Sequence, residues 1–214
     1  MCQRDEVLLR LAKLGIQQLY LPQLTYTKPD PQEPSVPILA PSADALRNRK
    51  HVFLLVNDDI QDLGILAYRQ LQREMGLNGG SVVDFAKEII NRSDRQASEM
   101  DIQDDLAEVK NKVQSAPGLI VTNIGQRFYS YKAGRPVTIR SWDALPRPSI
   151  LHESAEIHEL NYVKGSHGPH DHIKFVLDNV VMNELFVSPD AEIYIIGIEG
   201  GGYSLLEVLD EGCT

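Results

Sequence analysis

Ile193-Tyr194-Ile195-Ile196-Gly197-Ile198-Glu199-Gly200-Gly201-Gly202, followed by Tyr203 to Leu209, decides the fold class. The first four residues are an unbroken apolar run, too short for a helix and suited to a strand buried on both faces. Glycines at 197, 200, 201 and 202 then force a tight turn, and Tyr203 to Leu209 has helical spacing. Strand, glycine turn and helix make the frame of the G-x-S-x-G elbow, which lifts a nucleophile to the top of a sheet. Gly197 and Gly201 fill its two glycine positions, where side chains would clash as strand and helix approach. The apex is Glu199, and Ser204 lies inside the helix, off the apex. A glutamate has no hydroxyl to deprotonate, although a carboxylate can itself be a nucleophile. The competing reading is a strand-to-helix turn with no chemistry, and the chain favours it. In the elbow fold the triad histidine follows the nucleophile, and Tyr203 to Thr214 contains none.

Working outward, His51 to Val56 and Leu119-Ile120-Val121 are two more apolar runs of strand length. Helical patterns separate them: Ile65 to Met75, Val82 to Ile90, and a stripe of Ile102, Leu106, Val109 and Val113. A fourth runs through Ile173, Val176, Leu177, Val180 and Val181. Strands alternating with helices predict an α/β class with a mainly parallel sheet covered on both faces. Upstream, Glu6 to Leu21 is mostly helical in pattern, weakened by Gly15. Five prolines between Lys28 and Pro41 then predict an extended linker or surface loop. The organisation expected is an N-terminal helical segment over 1–27, a proline-rich linker over 28–45, and an α/β domain over 46–214. With 214 residues, that domain would stop one helix after the elbow, short of a full hydrolase.

The stretch from Gly125 to Gly165 departs from the alternation. Phe128 to Tyr131 and Pro136 to Ile139 read as a small hairpin around Lys132-Ala133-Gly134-Arg135, with an ordered loop after it. Its aromatics Phe128, Tyr129, Tyr131 and Trp142 are the interaction candidates, because aromatics anchor interfaces disproportionately. Against that stands their use as core filling beneath the loop.

Asn57-Asp58-Asp59-Ile60-Gln61-Asp62 follows the first buried strand, where a hydrolase would place an oxyanion-hole amide. Three carboxylates there oppose a developing oxyanion, and their spacing is not that of a calcium loop. His152, His158, His167, His170 and His172 cluster in sequence, but without cysteines or a matched carboxylate motif they read as a solvated loop and helix start rather than a zinc site. No metal or cofactor is expected. Cys2 and Cys213 sit at opposite ends and read as reduced thiols of an intracellular protein.

A hydrophobic fraction of 43% with 24% charged residues excludes a wholly disordered chain. No apolar run reaches bilayer length. Twenty-one basic against thirty acidic residues give −9, which argues against direct nucleic-acid binding.

Val56-Asn57-Asp58-Asp59 with Tyr68-Arg69 behind it, Thr122-Asn123-Ile124-Gly125-Gln126, Gly134 to Thr138, Ser141 to Pro146 and Ile196 to Gly202 recur in a fixed order. Together these blocks resemble the Arb-two (Argonaute-binding) domain family, from about His51 to Leu209. The family includes a subunit of a fungal Argonaute chaperone complex and the C-terminal domain of fungal class II histone deacetylases. The resemblance implies a three-layer α/β-hydrolase-like domain that acts as a non-catalytic interaction module in small-RNA silencing or heterochromatin formation. Its implied partners are Argonaute or chromatin-associated proteins, in the nucleus or cytoplasm. Some relatives carry serine at the apex where this chain has Glu199. The alternative is a hydrolase using Glu199 as nucleophile or base, with Asp58 and His172 as partners.

Overall fold

The computed structural model describes residues 3–71, 76–97, 116–149, 151–153 and 155–212. In chain order the main elements are α1 (Gln3–Lys13), β1 (Gln17–Leu21), β2 (Val36–Ala40), α2 (Ala43–Arg47), β3 (His51–Val56), α3 (Tyr68–Leu71), α4 (Gly76–Gly79) and α5 (Val82–Ala97). Then come β4 (Gly118–Val121), β5 (Phe128–Ser130), β6 (Arg135–Val137), α6 (Ile139–Asp143), α7 (Pro169–Val176), β7 (Glu192–Gly197) and α8 (Gly200–Gly212). The stripe through Ile102 and Val113 lies outside the described residues.

Five strands form one sheet in the order β1-β2-β4-β3-β7. β3 runs parallel to both β4 and β7, and β2 is antiparallel to β1 and β4. Four of the five strands therefore point the same way, as alternating strands and helices require. Val52, Leu54 and Val56 of β3 project to one face, against Ile173 and Val176 of α7 and Leu205 and Val208 of α8. Leu55 projects to the other face, against Val7 and Leu11 of α1 and Val82, Val83 and Ala86 of α5. A strand with helices on both sides has no polar face, which is why His51 to Val56 carries no hydrophilic alternation.

Several expectations need correction. The helix read over Glu6 to Leu21 ends at Lys13, Gly15 turns the chain at φ 78°, and Gln17–Leu21 is a strand. The proline-rich stretch is no linker in its second half, because Val36–Ala40 is a fully buried strand. Pro37 is tolerated there for a readable reason. Opposite it, Tyr20 spends its backbone on Thr25, donating its N–H at 2.8 Å, so this is a pair that exchanges no bond with β2. The Pro37 carbonyl instead accepts from Asn123 Nδ2 at 2.8 Å. Ile65 bridges to Ser81, so the helix expected from that residue starts at Tyr68. The strand at Ile193 to Ile196 is present, but none of its residues is fully buried, because among the described residues β7 is the last strand of the sheet. No helix among the described residues is long and apolar enough to cross a membrane.

The small hairpin is present: β5 and β6 pair antiparallel, Phe128 opposite Val137. Its aromatics turn inward. Phe128, Tyr129 and Trp142 are buried. Phe128 meets Trp142 and Tyr162 edge to face at 6.4 and 5.6 Å, and Trp142 Nε1 donates to the Ala155 carbonyl at 2.6 Å. Tyr129 donates its hydroxyl to the Pro31 carbonyl at 3.1 Å. These three are core filling rather than exposed anchors, and only Tyr131 keeps substantial exposure.

Candidate functional site

The elbow predicted between β7 and α8 is built as its glycines require. Glu199 sits at φ 47°, the left-handed region that a side chain enters only at a cost. A Cβ on Gly197 would lie 2.6 Å from the Gly202 Cα, and one on Gly201 would lie 2.1 Å from the Asn57 carbonyl oxygen. Strand and helix therefore touch backbone to backbone at both glycines. The Glu199 side chain is exposed at the rim of a shallow depression of about 350 Å³, lined also by Gly202, Tyr203 and Leu206.

The C-terminal end of β3 supplies the floor. A Cβ on Gly200 would meet Asp58 Oδ1 at 2.9 Å and Asp59 Oδ1 at 3.0 Å. Two carboxylates thus sit at the N-terminus of α8, where a hydrolase would receive an oxyanion. They complement the positive end of the helix dipole themselves. Asp58 is buried; its Oδ1 accepts from the Asp59 N–H at 3.0 Å, and its Oδ2 has no hydrogen-bond partner among the described residues. Burial, and then the neighbouring charges of Asp59 and Glu199, push the Asp58 carboxyl above its ordinary range.

That shift has a stability consequence. The folded state holds the Asp58 proton more tightly than the unfolded chain, so at neutral pH the ionised group opposes folding, and the penalty fades as pH falls. Asp58→Asn keeps Oδ1 for the Asp59 amide and removes the charge. It is expected to stabilise the fold at pH 7, and the gain should shrink as pH falls. A thermal melt at pH 7 that shows Asp58→Asn less stable than wild type would refute this account.

His172, proposed as a partner of Glu199, belongs elsewhere. It is fully buried in the first turns of α7, not solvated as its sequence neighbours suggested. Its Nε2 accepts from the Asn123 N–H at 3.1 Å, so Nδ1 carries the hydrogen and meets Ser166 Oγ at 2.8 Å. Burial, with Arg127 nearby, lowers its pKa to about 3. The ring is a neutral strut with both nitrogens engaged. The remaining cluster disperses: His170 pairs with Glu211 at 3.0 Å and His167 with Glu159 at 3.4 Å. Among the described residues no group of three His, Cys, Asp or Glu is placed to hold a metal ion.

The block Thr122 to Gln126 has a structural role that its spacing in the sequence does not announce. Asn123 Nδ2 donates to Gln126 Oε1 at 3.1 Å, Gln126 Nε2 donates to Asp62 Oδ1 at 2.6 Å, and Leu63 N–H donates to Gln126 Oε1 at 3.2 Å. Asn123 and Gln126 are buried, and they lock the loop after β3 to the end of β4 and to β2. Two amide side chains within five residues of a buried strand's end were the available signal, since buried amides must find partners.

The fold and this turn define an α/β protein with a mainly parallel sheet and a glycine elbow whose apex is a carboxylate. The model of the Arb2 domain matches residues 1–213, and the chain belongs to the Arb2 domain family. The match begins well before His51, in keeping with β1 and β2 being part of the same sheet. Neither a curated protein nor a solved structure matches the chain.

Proposed function

We propose that this Arb2 domain is a non-catalytic protein-interaction module of the Argonaute-binding type, on an α/β-hydrolase-like frame. The observation that carries the reading is the pair of carboxylates, Asp58 and Asp59, at the N-terminus of α8 beside Gly200. An oxyanion formed at the elbow would meet like charge instead of hydrogen-bond donors. His172, the base that hydrolysis would need, has both ring nitrogens committed to Asn123 and Ser166. The family name supports partners related to Argonaute. On this reading the module acts inside the cell, in the nucleus or cytoplasm, in small-RNA silencing or heterochromatin formation. It uses no cofactor and no direct nucleic-acid contact, and it is related to the C-terminal domain of fungal class II histone deacetylases.

The strained apex at φ 47° favours the competing reading, a hydrolase with Glu199 as nucleophile, because strain is commonly kept where chemistry needs it. One experiment separates the two. Wild type and Glu199→Gln are assayed against a panel of esters and amides, and both are tested for retention of purified Argonaute. The expected result is no turnover by either protein and equal retention by both. Turnover by wild type that Glu199→Gln abolishes would overturn the module reading, as would failure of both proteins to retain Argonaute.

A further inference from the structure

Away from the elbow, a cavity of about 220 Å³ opens between the start of α1, β1, the proline-rich segment ahead of β2 and the β5–β6 hairpin. Every residue that lines it is a described one. Three of them are cations, Arg4, Lys28 and Arg135, and one is a carboxylate, Asp5, in a chain whose net charge is −9. Arg4 has only 18% of its side chain exposed, and its ion pair with Asp5 spans 3.5 Å. That one contact serves a guanidinium with five N–H donors. Ser35 is 5% exposed in the same wall, and its hydroxyl makes no hydrogen bond among the described residues.

The walls are stiff. Pro29, Pro31 and Pro34 fix φ along the segment between Lys28 and Ser35. Tyr129 of β5 donates its hydroxyl to the Pro31 carbonyl at 3.1 Å, and a Cβ on Gly134 would lie 3.8 Å from that of Pro31. The hairpin therefore clamps the prolines in place, and donors already held in position bind an anion with little ordering cost.

Charge selects the occupant. An excess of cations beside a spare hydroxyl suits a phosphate monoester, which carries about −1.5 to −2 at pH 7 and three strong acceptor oxygens. A carboxylate would bring one charge and leave donors unmet. A nucleic acid would face the repulsion of the whole acidic chain. A second hollow of about 500 Å³ shares Asp5, Leu8, Gln18, Tyr20 and Lys28 with the cavity and runs on past Leu9, Ala12 and Tyr26. A free phosphate would use the cavity alone. A phosphorylated side chain within a polypeptide also lays its flanking residues in the hollow.

We propose that this cavity is a binding site for a phosphorylated serine or threonine of a partner polypeptide. Arg4, Lys28 and Arg135 receive the phosphate oxygens, the Ser35 hydroxyl donates a further hydrogen bond, and the residues beside the phosphate cover Leu9 and Tyr26. The inference rests on the interaction-module reading and names the chemistry that such a module would recognise.

The probe is an immobilised peptide library with a central phosphoserine and randomised flanks, presented to the whole chain. Two companions accompany it, one unphosphorylated and one with glutamate at the centre. The expected result is that the phosphorylated library retains the chain about tenfold more tightly than either companion. Arg4→Gln and Lys28→Gln should each weaken retention about tenfold, and Arg4→Lys should weaken it less. Lys28 is exposed, so its variant tests the cavity even where Arg4→Gln disturbs the fold. Lys174→Gln removes an exposed cation from α7, across the sheet, and should change nothing. Equal retention of the three libraries would overturn the proposal. So would an equal loss in Lys174→Gln, which would show bulk charge only. Inorganic phosphate that displaces the library with the library's own affinity would overturn it too, because the occupant would then be a free anion. Selection of phosphopeptides without Argonaute retention removes the module's proposed partner and supports this site; Argonaute retention without such selection does the reverse.

Discussion

Gly201→Ala is expected to cost about 3 kcal/mol or more of stability, while Gly202→Ala, one residue on, is neutral or slightly stabilising. The difference lies in what each new methyl meets. At 201 the Cβ would stand 2.1 Å from the Asn57 carbonyl oxygen and 2.9 Å from that of Val56, both backbone atoms of the neighbouring strand's end. Backbone cannot swing aside as a side chain can, so β3 or the start of α8 must shift. At 202 the nearest atom is 3.6 Å away, an ordinary contact, and alanine is the better helix former. Urea unfolding of the two variants measures the contrast directly. Equal midpoints would mean that the elbow does not pack backbone to backbone on the Asn57 loop. Because both variants leave Glu199 in place, the comparison separates the turn's structural role from any chemistry at its apex.

The second large effect is a pH dependence centred on His172. Its pKa is 6.5 ordinarily and about 3 in the fold. Between those values the unfolded chain binds a proton that the folded ring refuses. The stability contributed by the neutral ring is therefore complete above about pH 6.5 and is lost progressively as pH falls toward 3. The slope from this one group approaches about 1.4 kcal/mol per pH unit. His172→Gln keeps a polar side chain but does not titrate in this range. It is expected to be less stable at pH 7 by about 2 kcal/mol, since Asn123 N–H and Ser166 Oγ lose well-placed partners. Its melting temperature should then fall more slowly than wild type between pH 7 and 4. Parallel slopes would place the acid sensitivity on other groups. The opposite sign of the Asp58 shift makes the comparison with Asp58→Asn informative, because that variant should gain stability at neutral pH and converge on wild type in acid.

Which parts of this molecule could be read from the chain follows from the range of the forces involved. The elbow was legible at Gly197 to Gly202 because a glycine cluster between an apolar run and a helical pattern is a local requirement of backbone geometry. β3 and β4 were legible because both of their faces are buried, which leaves an unbroken apolar run. The candidate site was legible in part: Glu199 at the apex and Asp58 beside it, but not the role of Asn57 and Asp59 beneath the start of α8. β2 was misread because prolines remove donors in general, whereas Pro37 stands opposite a residue whose own bonds point the other way. That depends on register, which no local pattern reports.

The same division runs through the rest of the chain. The sequence by itself determined the α/β class, the turn at residues 197–202, the absence of serine at its apex and the acidity of its last forty residues, since each is a property of composition or of contiguous spacing. Only the tertiary structure decided that Phe128, Tyr129 and Trp142 fill a core, that His172 is sealed against Asn123 and Ser166, and that β3 lies between β4 and β7. An aromatic ring, an imidazole and an apolar strand have the same spelling whether they face solvent or protein. What they face is set by residues distant in the chain and brought close by folding: Ala155 to Trp142, Asn123 to His172, and β3 to β7.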